Sequence, residues 1–119
     1  SNTVAGIISP FLQHLKHEEC WVLYLNKHNA MIGKEKVSIG GLDSTTMDVR
    51  IIVKKALEKS ACGTILVHNH PSGIPTPGEQ DKKCTKMLKS ALNMMDIMLL
   101  DHIIIGRNSY YSFSDEGLF

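Results

Sequence analysis

His68 and His70 stand two residues apart, at the exit of a segment that reads as a strand. Side chains alternate across a strand, so the two imidazoles share one face and can chelate a metal ion together. Asp81 opens a segment with helical spacing. Cys84 and Leu88 follow it at helical intervals, which puts Asp81 on the buried face of that helix. A carboxylate on a buried face needs a partner, because an unpaired buried charge is costly. A divalent cation held by the two histidines is such a partner. Two His and one carboxylate form a common zinc set for catalysis and leave the fourth tetrahedral position to water. Bound zinc lowers the pKa of that water from 15.7 to about 7, and a carboxylate usually serves nearby as the base. Each residue alone has a plainer reading. His-x-His also suits loop histidines at a strand end, and Asp81 suits a helix N-terminal charge favoured by the dipole.

These residues need a scaffold, and the chain spells one out. Pro10 is predicted to open a first helix with Ser9 as N-cap and Phe11, Leu12 and Leu15 as its apolar stripe. A strand over Cys20–Leu25, a turn at Asn26–Asn29 and a second strand over Met31–Ile39 read as a hairpin. Gly40-Gly41 breaks the chain. Asp48 caps a helix from Val49 to about Lys59, on the spacing of Ile52, Val53, Ala56 and Leu57. Gly63–Val67 reads as a buried central strand. The stretch from His70 to Gly78 holds three of the four prolines and can continue neither strand nor helix.

The helix carrying Asp81 is predicted over Glu79–Met94. Cys84, Met87, Leu88, Ala91, Leu92 and Met95 form its inner face, and Lys82, Lys83, Lys86 and Lys89 its solvated one. Ile97–Ile105 is a further strand, interrupted by Asp101-His102, and Tyr110–Phe113 follows a turn. Strands alternating with helices after an early hairpin imply an α/β domain, a mixed sheet with helices on its faces.

Composition narrows the function classes. The chain has 119 residues, 43% of them hydrophobic and 21% charged, which points to a single domain over 1–119 with a core of its own. The mean hydropathy of −0.06 and the ordinary charge content exclude a disordered chain. No apolar run approaches the roughly 20 residues of a membrane span. The net charge of +1 weakens a dedicated DNA-binding reading, which usually shows a basic excess. Cys20, Cys62 and Cys84 are widely spaced with no Cys-x-x-Cys, so they read as small buried hydrophobes of a protein in the reducing cytoplasm. The start Ser1-Asn2-Thr3 shows neither an initiator Met nor a signal-peptide pattern, which leaves room for a longer natural chain. His14, His17 and His28 read as surface residues.

The string His68-Asn69-His70-Pro71-Ser72-Gly73, followed by Pro75-Thr76-Pro77 and Asp81, resembles the JAMM motif of RadC proteins, members of the MPN/JAMM metalloprotease-like superfamily. Trp21–Asn26, Leu100–Gly106, Tyr110–Phe113 and the ending Glu116–Phe119 resemble the same family, so the likeness covers nearly the whole chain. It implies a three-layer α/β/α sandwich of the cytidine-deaminase type around a mixed sheet. It also implies a zinc-dependent peptidase or isopeptidase-like hydrolase acting on a peptide or isopeptide-linked protein. The family's N-terminal helix-hairpin-helix domain is expected to be absent from this stretch.

The resemblance makes His68, His70 and Asp81 the ligands of one Zn2+ and assigns the water-activating glutamate to Glu18, with Glu19 as the alternative. Strand alternation puts Glu18 and Glu19 on opposite faces, so only one should reach the metal. One departure matters. The superfamily has a Ser three residues before the Asp, supporting the oxyanion, and here that position is Gly78. The expectation is a metal-competent but weakened site, unless Ser72, Thr76 or a backbone N–H substitutes. Asn69, facing away from the two histidines, is expected to fix the strand end. Asp101 and His102 could support a ligand from behind or serve structure alone.

Rival readings are weaker. A nuclease of the HNH type disperses its three letters over a ββα unit. A zinc deaminase needs His-x-Glu and Pro-Cys-x-x-Cys, which this chain lacks. The serious alternative is a metal-stabilised module that binds DNA or a protein in DNA repair, and the near-neutral charge argues against DNA.

Overall fold

The computed structural model describes residues 2–39 and 47–119. The expected break at Gly40-Gly41 lies outside the described residues. The elements run α1 (Asn2–Leu12), β1 (Glu19–Leu25), β2 (Met31–Ile39), α2 (Val49–Glu58), β3 (Gly63–Asn69), α3 (Glu79–Asn93), β4 (Met98–Ile105) and β5 (Tyr110–Ser112).

The five strands form one mixed sheet in the order β2-β1-β3-β4-β5. β1 is antiparallel to both β2 and β3, β3 is parallel to β4, and β4 is antiparallel to β5. The parallel pair requires a crossover, and α3 provides it. β3 is the middle strand, and every one of its residues is buried, as its unbroken apolar run predicts.

Alternation along the strands sorts the core into two layers. Cys20, Val22, Tyr24 and Leu66 pack with Ile52 and Ala56 of α2 and with Cys84, Leu88 and Leu92 of α3. Leu23, Leu25, Ile65, Val67, Ile103 and Ile105 pack on the other face against Ala5, Ile8 and Leu12 of α1. The molecule is therefore the three-layer α/β/α sandwich the sequence implies, with α2 and α3 on one side and α1 on the other. No helix is long and apolar enough to cross a membrane among the described residues.

The structure departs from the sequence expectations in three places. The first helix does not open at Pro10 with Ser9 as cap. It begins by Asn2 and carries Pro10 in its last turn. The stripe Ala5, Ile8 and Leu12 extends the helical spacing upstream. The N–H that Pro10 lacks falls where the helix is ending, and Gln13 N still donates to the Ser9 carbonyl at 2.8 Å. Phe11, placed in the apolar stripe, is instead exposed, as are Met87 and Met95 of the predicted inner face of α3. Thr85 takes a place on that buried face. Finally, Cys62 is exposed, whereas Cys20 and Cys84 are buried.

Candidate metal centre

β3 delivers His68 to the α3 side of the sheet, where it is almost fully buried. His70 continues the pairing one residue past the strand, its N–H donating to the Ile105 carbonyl at 2.9 Å. The chain then turns away: Gly73 N donates to the His70 carbonyl at 2.9 Å, and Gly73 has φ +88°, a conformation glycine adopts without strain. The loop is pinned to the end of β4, where Arg107 N donates to the Gly73 carbonyl at 3.0 Å. That approach requires glycine at 106, because a Cβ there would lie 2.6 Å from the Gly73 oxygen. So fastened, the loop feeds α3 back over the sheet and brings Asp81 to the histidines.

His68 Nε2 lies 3.1 Å from His70 Nε2. Asp81 offers Oδ1 to His68 at 3.2 Å and Oδ2 to His70 at 3.2 Å. The ligand atoms of the three residues all fall within 4.8 Å of one another, a group able to hold a metal ion. Burial pushes the Asp81 carboxyl up, but its close contacts with His68 and His70 and the hydrogen bond from the Gly78 N–H together hold it far below the ordinary carboxylate range. His70 is raised by its hydrogen bond to Asp81, against its burial; the Ile74 carbonyl and the charges of Asp81 and Glu18 add to the rise.

The donor set fits a cation. His70 Nδ1 lies 2.9 Å from the Ile74 carbonyl, which can only accept, so Nδ1 carries a proton and a neutral His70 presents a bare Nε2. The carboxylate is likewise an acceptor. A proton or a metal ion must sit among these atoms. Two imidazoles and a carboxylate that leave room for water are the ligand chemistry of a catalytic zinc site.

The two candidate glutamates are separated clearly. Glu19 is occupied: its Oε2 accepts from His17 Nε2 at 2.9 Å and its Oε1 from Trp21 Nε1 at 3.1 Å, with Lys36 Nζ 3.8 Å away. The His17 bond leads in lowering its pKa, against partial burial. Glu18 sits half-buried just before β1, and its negative charge is felt at His70. The structure thus turns Glu19 away and leaves Glu18 on the histidine side.

The remaining candidates divide. His102 lies directly behind the centre, its Nε2 2.7 Å from His68 Nδ1, with its ring stacked on Phe113 at 4.6 Å between centroids. Burial drives its pKa well below the ordinary value, and charge on His68 adds to this. Asp101 faces away from the ligands and organises the C-terminal turn, accepting from Ser112 Oγ, Ser114 N and His102 N. Ser72 Oγ accepts from Ile74 N at 3.3 Å within its turn, and Thr76 is exposed. Gly78 caps α3 with its N–H on Asp81 Oδ2 at 2.7 Å. Asn69 holds the start of β1: its Oδ1 accepts from Glu19 N, and its Nδ2 donates to the His17 carbonyl.

Sequence reading overlooked Thr85, whose Oγ1 lies 2.6 Å from the Asp81 carbonyl and 2.5 Å from His102 Nδ1. Its signal was present: a hydroxyl on an apolar helix face, one turn past a candidate ligand.

Residues 1–118 match the RadC-like JAB domain family. The chain is 49% identical over 113 residues to a UPF0758 protein of Flavobacterium johnsoniae, covering 95% of this chain and 49% of that protein. It is 47% identical over 112 residues to a UPF0758 protein of Porphyromonas gingivalis, covering 93% and 49%. It is 44% identical over 104 residues to the UPF0758 protein YfjY of Escherichia coli, covering 87% and 65%. The chain spans about half the length of the first two. In keeping with its fold and its His-His-Asp cluster, the chain belongs to the RadC family, as a RadC-like JAB domain.

Proposed function

We propose that this domain is a zinc-dependent hydrolase that cuts peptide or isopeptide bonds. The observation that carries the reading is the convergence of His68 Nε2, His70 Nε2 and the Asp81 carboxylate on one point. A zinc ion bound there would keep a position for water, lower that water's pKa to about 7 and polarise the carbonyl to be cut. His68, His70 and Asp81 would hold the ion. Glu18 is the base that would take a proton from the attacking water and return it to the leaving amine nitrogen. Asn69 fixes the backbone on both sides of Glu18. Gly78 offers no hydroxyl to the developing oxyanion, and the loss of one such donor typically costs about 100- to 1,000-fold in rate. The domain is therefore a slow hydrolase whose metal grip is intact. Its substrate is a peptide or a protein joined through an isopeptide bond.

The test is metal analysis of protein purified without chelator, followed by assay against peptide and isopeptide-linked substrates. About one zinc per chain, lost on replacing His68 and His70 together, with hydrolysis that stops on chelation, is expected. Protein that takes up no zinc overturns the reading.

A further inference from the structure

The bonds behind the metal centre have a direction, and it can be worked out from one hydroxyl. Thr85 Oγ1 has one proton and two close neighbours, the Asp81 carbonyl at 2.6 Å and His102 Nδ1 at 2.5 Å. A carbonyl only accepts, so the Thr85 proton goes to Asp81. The Thr85 oxygen must then accept, and His102 Nδ1 carries the proton it accepts. A neutral His102 is thereby left with a bare Nε2, 2.7 Å from His68 Nδ1. Two ring nitrogens at that separation share one proton, so it belongs to His68 Nδ1. The remaining nitrogen of His68, Nε2, is bare and faces His70 and Asp81. Traced from the other end, the same order results. His68 can ligate through Nε2 only when Nδ1 holds the proton, and each later bond follows.

We propose that Thr85 and His102 are positioning residues that lock His68 in its Nδ1–H tautomer and so prepare Nε2 to bind the metal ion. They form a circuit that joins two ligands. It leaves the backbone carbonyl of Asp81, passes through Thr85 and His102 to His68, and stops at the bare His68 Nε2. That nitrogen lies 3.2 Å from the Asp81 carboxylate, where a cation would close the circuit. His70 reaches the same tautomer by a different route, through the Ile74 carbonyl. Because α3 supplies Thr85 and β4 supplies His102, the circuit also ties the position of the Asp81 helix to the proton on the buried ligand. Phe113 backs it by stacking on His102.

The proposal rests on the metal reading, and its test separates the two. Ring-nitrogen NMR of the metal-free wild type reports both tautomers without any ion. His68 and His102 are each expected to carry the proton on Nδ1. Zinc affinity is then measured by chelator competition for wild type, Thr85→Val and Thr85→Ser, with thermal melts confirming that each is folded. Thr85→Val keeps the shape and removes the hydroxyl. It is expected to bind zinc about 10- to 100-fold more weakly, the usual cost of losing a partner behind a ligand, and to lose the single tautomer of His102. Thr85→Ser restores both. A wild type with His68 protonated at Nε2, or a folded Thr85→Val that binds zinc as the wild type does, overturns this proposal alone. A wild type with the assigned tautomers that takes up no zinc overturns the metal reading and the positioning role with it.

Discussion

Asn69 Oδ1 accepts the backbone N–H of Glu19 at 2.7 Å, while its Nδ2 donates to the His17 carbonyl at 3.0 Å. One buried amide therefore grips the chain on both sides of Glu18, from a residue that sits between the two histidine ligands. Removing it should separate base from metal. Asn69→Ala is expected to lower hydrolysis of an isopeptide substrate by about 100-fold, the scale of a misplaced catalytic group, with zinc content unchanged. The unmet Glu19 N–H should also cost about 1–3 kcal/mol in stability. An unaltered rate, or a rate that falls only in step with lost zinc, counts against the clamp.

Gly78 can be refilled. It has φ −87°, and a Cβ there would meet only Asp81 Oδ2, at an ordinary contact distance of 3.6 Å. Ser is also an N-cap at least as good as Gly. Gly78→Ser should leave the melting temperature unchanged or slightly higher and raise the hydrolysis rate by about 100-fold or more. A well-folded variant with no gain in rate would show that the site does not lack an oxyanion donor.

The metal-free centre should show a characteristic pH dependence. His70 is raised, mainly by its bond to Asp81. Its contribution to stability is fully present below its unfolded value of about 6.5 and is lost as pH rises through the raised one. Burial raises Asp81, but its contacts with His68 and His70 and the Gly78 N–H depress it overall. Its contribution is present above about 3.9 and is lost as pH falls through the depressed value. Chelated protein is thus expected to melt at a higher temperature at pH 5.5 than at pH 8, and Asp81→Asn should erase most of the difference. Zinc should reverse the order, since it competes with the His70 proton and binds better as that proton leaves. A chelated protein equally stable at both pH values would refute the pairing.

Asp101 makes a separate prediction about structure. Its carboxylate accepts from Ser112 Oγ, Ser114 N and His102 N, and these bonds hold the turn that seats Phe113 on His102. Asp101→Ala should cost about 3 kcal/mol by denaturant titration, since buried bonds to a charged group are each worth about 1.5–3 kcal/mol. A loss below about 1 kcal/mol would show that the turn holds itself.

The parts of this fold that were legible share a cause: their signals are local. Asp48 caps α2 through Arg50 N at 3.0 Å, and its capping chemistry is visible in the sequence. β3 is buried throughout because both of its faces are covered, and its apolar run Ile65–Val67 shows this in the sequence. His68, His70 and Asp81 obey strand and helix periods. Other features depend on distant partners. Pro10 looks like a helix start because Ser9 offers a cap and proline suits a first turn, yet α1 is held by packing with Leu23 and Val67, which no local pattern records. Strand alternation separates Glu18 from Glu19 but does not say which one is engaged. That depends on the folded hairpin, where Lys36 of β2 approaches Glu19 beside its bonds to His17 and Trp21. Thr85 reads as a helix-face residue until β4 brings His102 against it.

The three metal donors all come from residues 68–81, one strand, one loop and the first turn of one helix. In the proposed reading the base, Glu18, comes from just before β1 on one flank of that strand, and His102 of the tautomer lock from β4 on the other. Capture of the ion would thus need β3, α3 and β4, whereas reactivity would also need β1. A chain whose first strand had peeled away would then keep its ion and be inert, so cargo and competence could be lost separately.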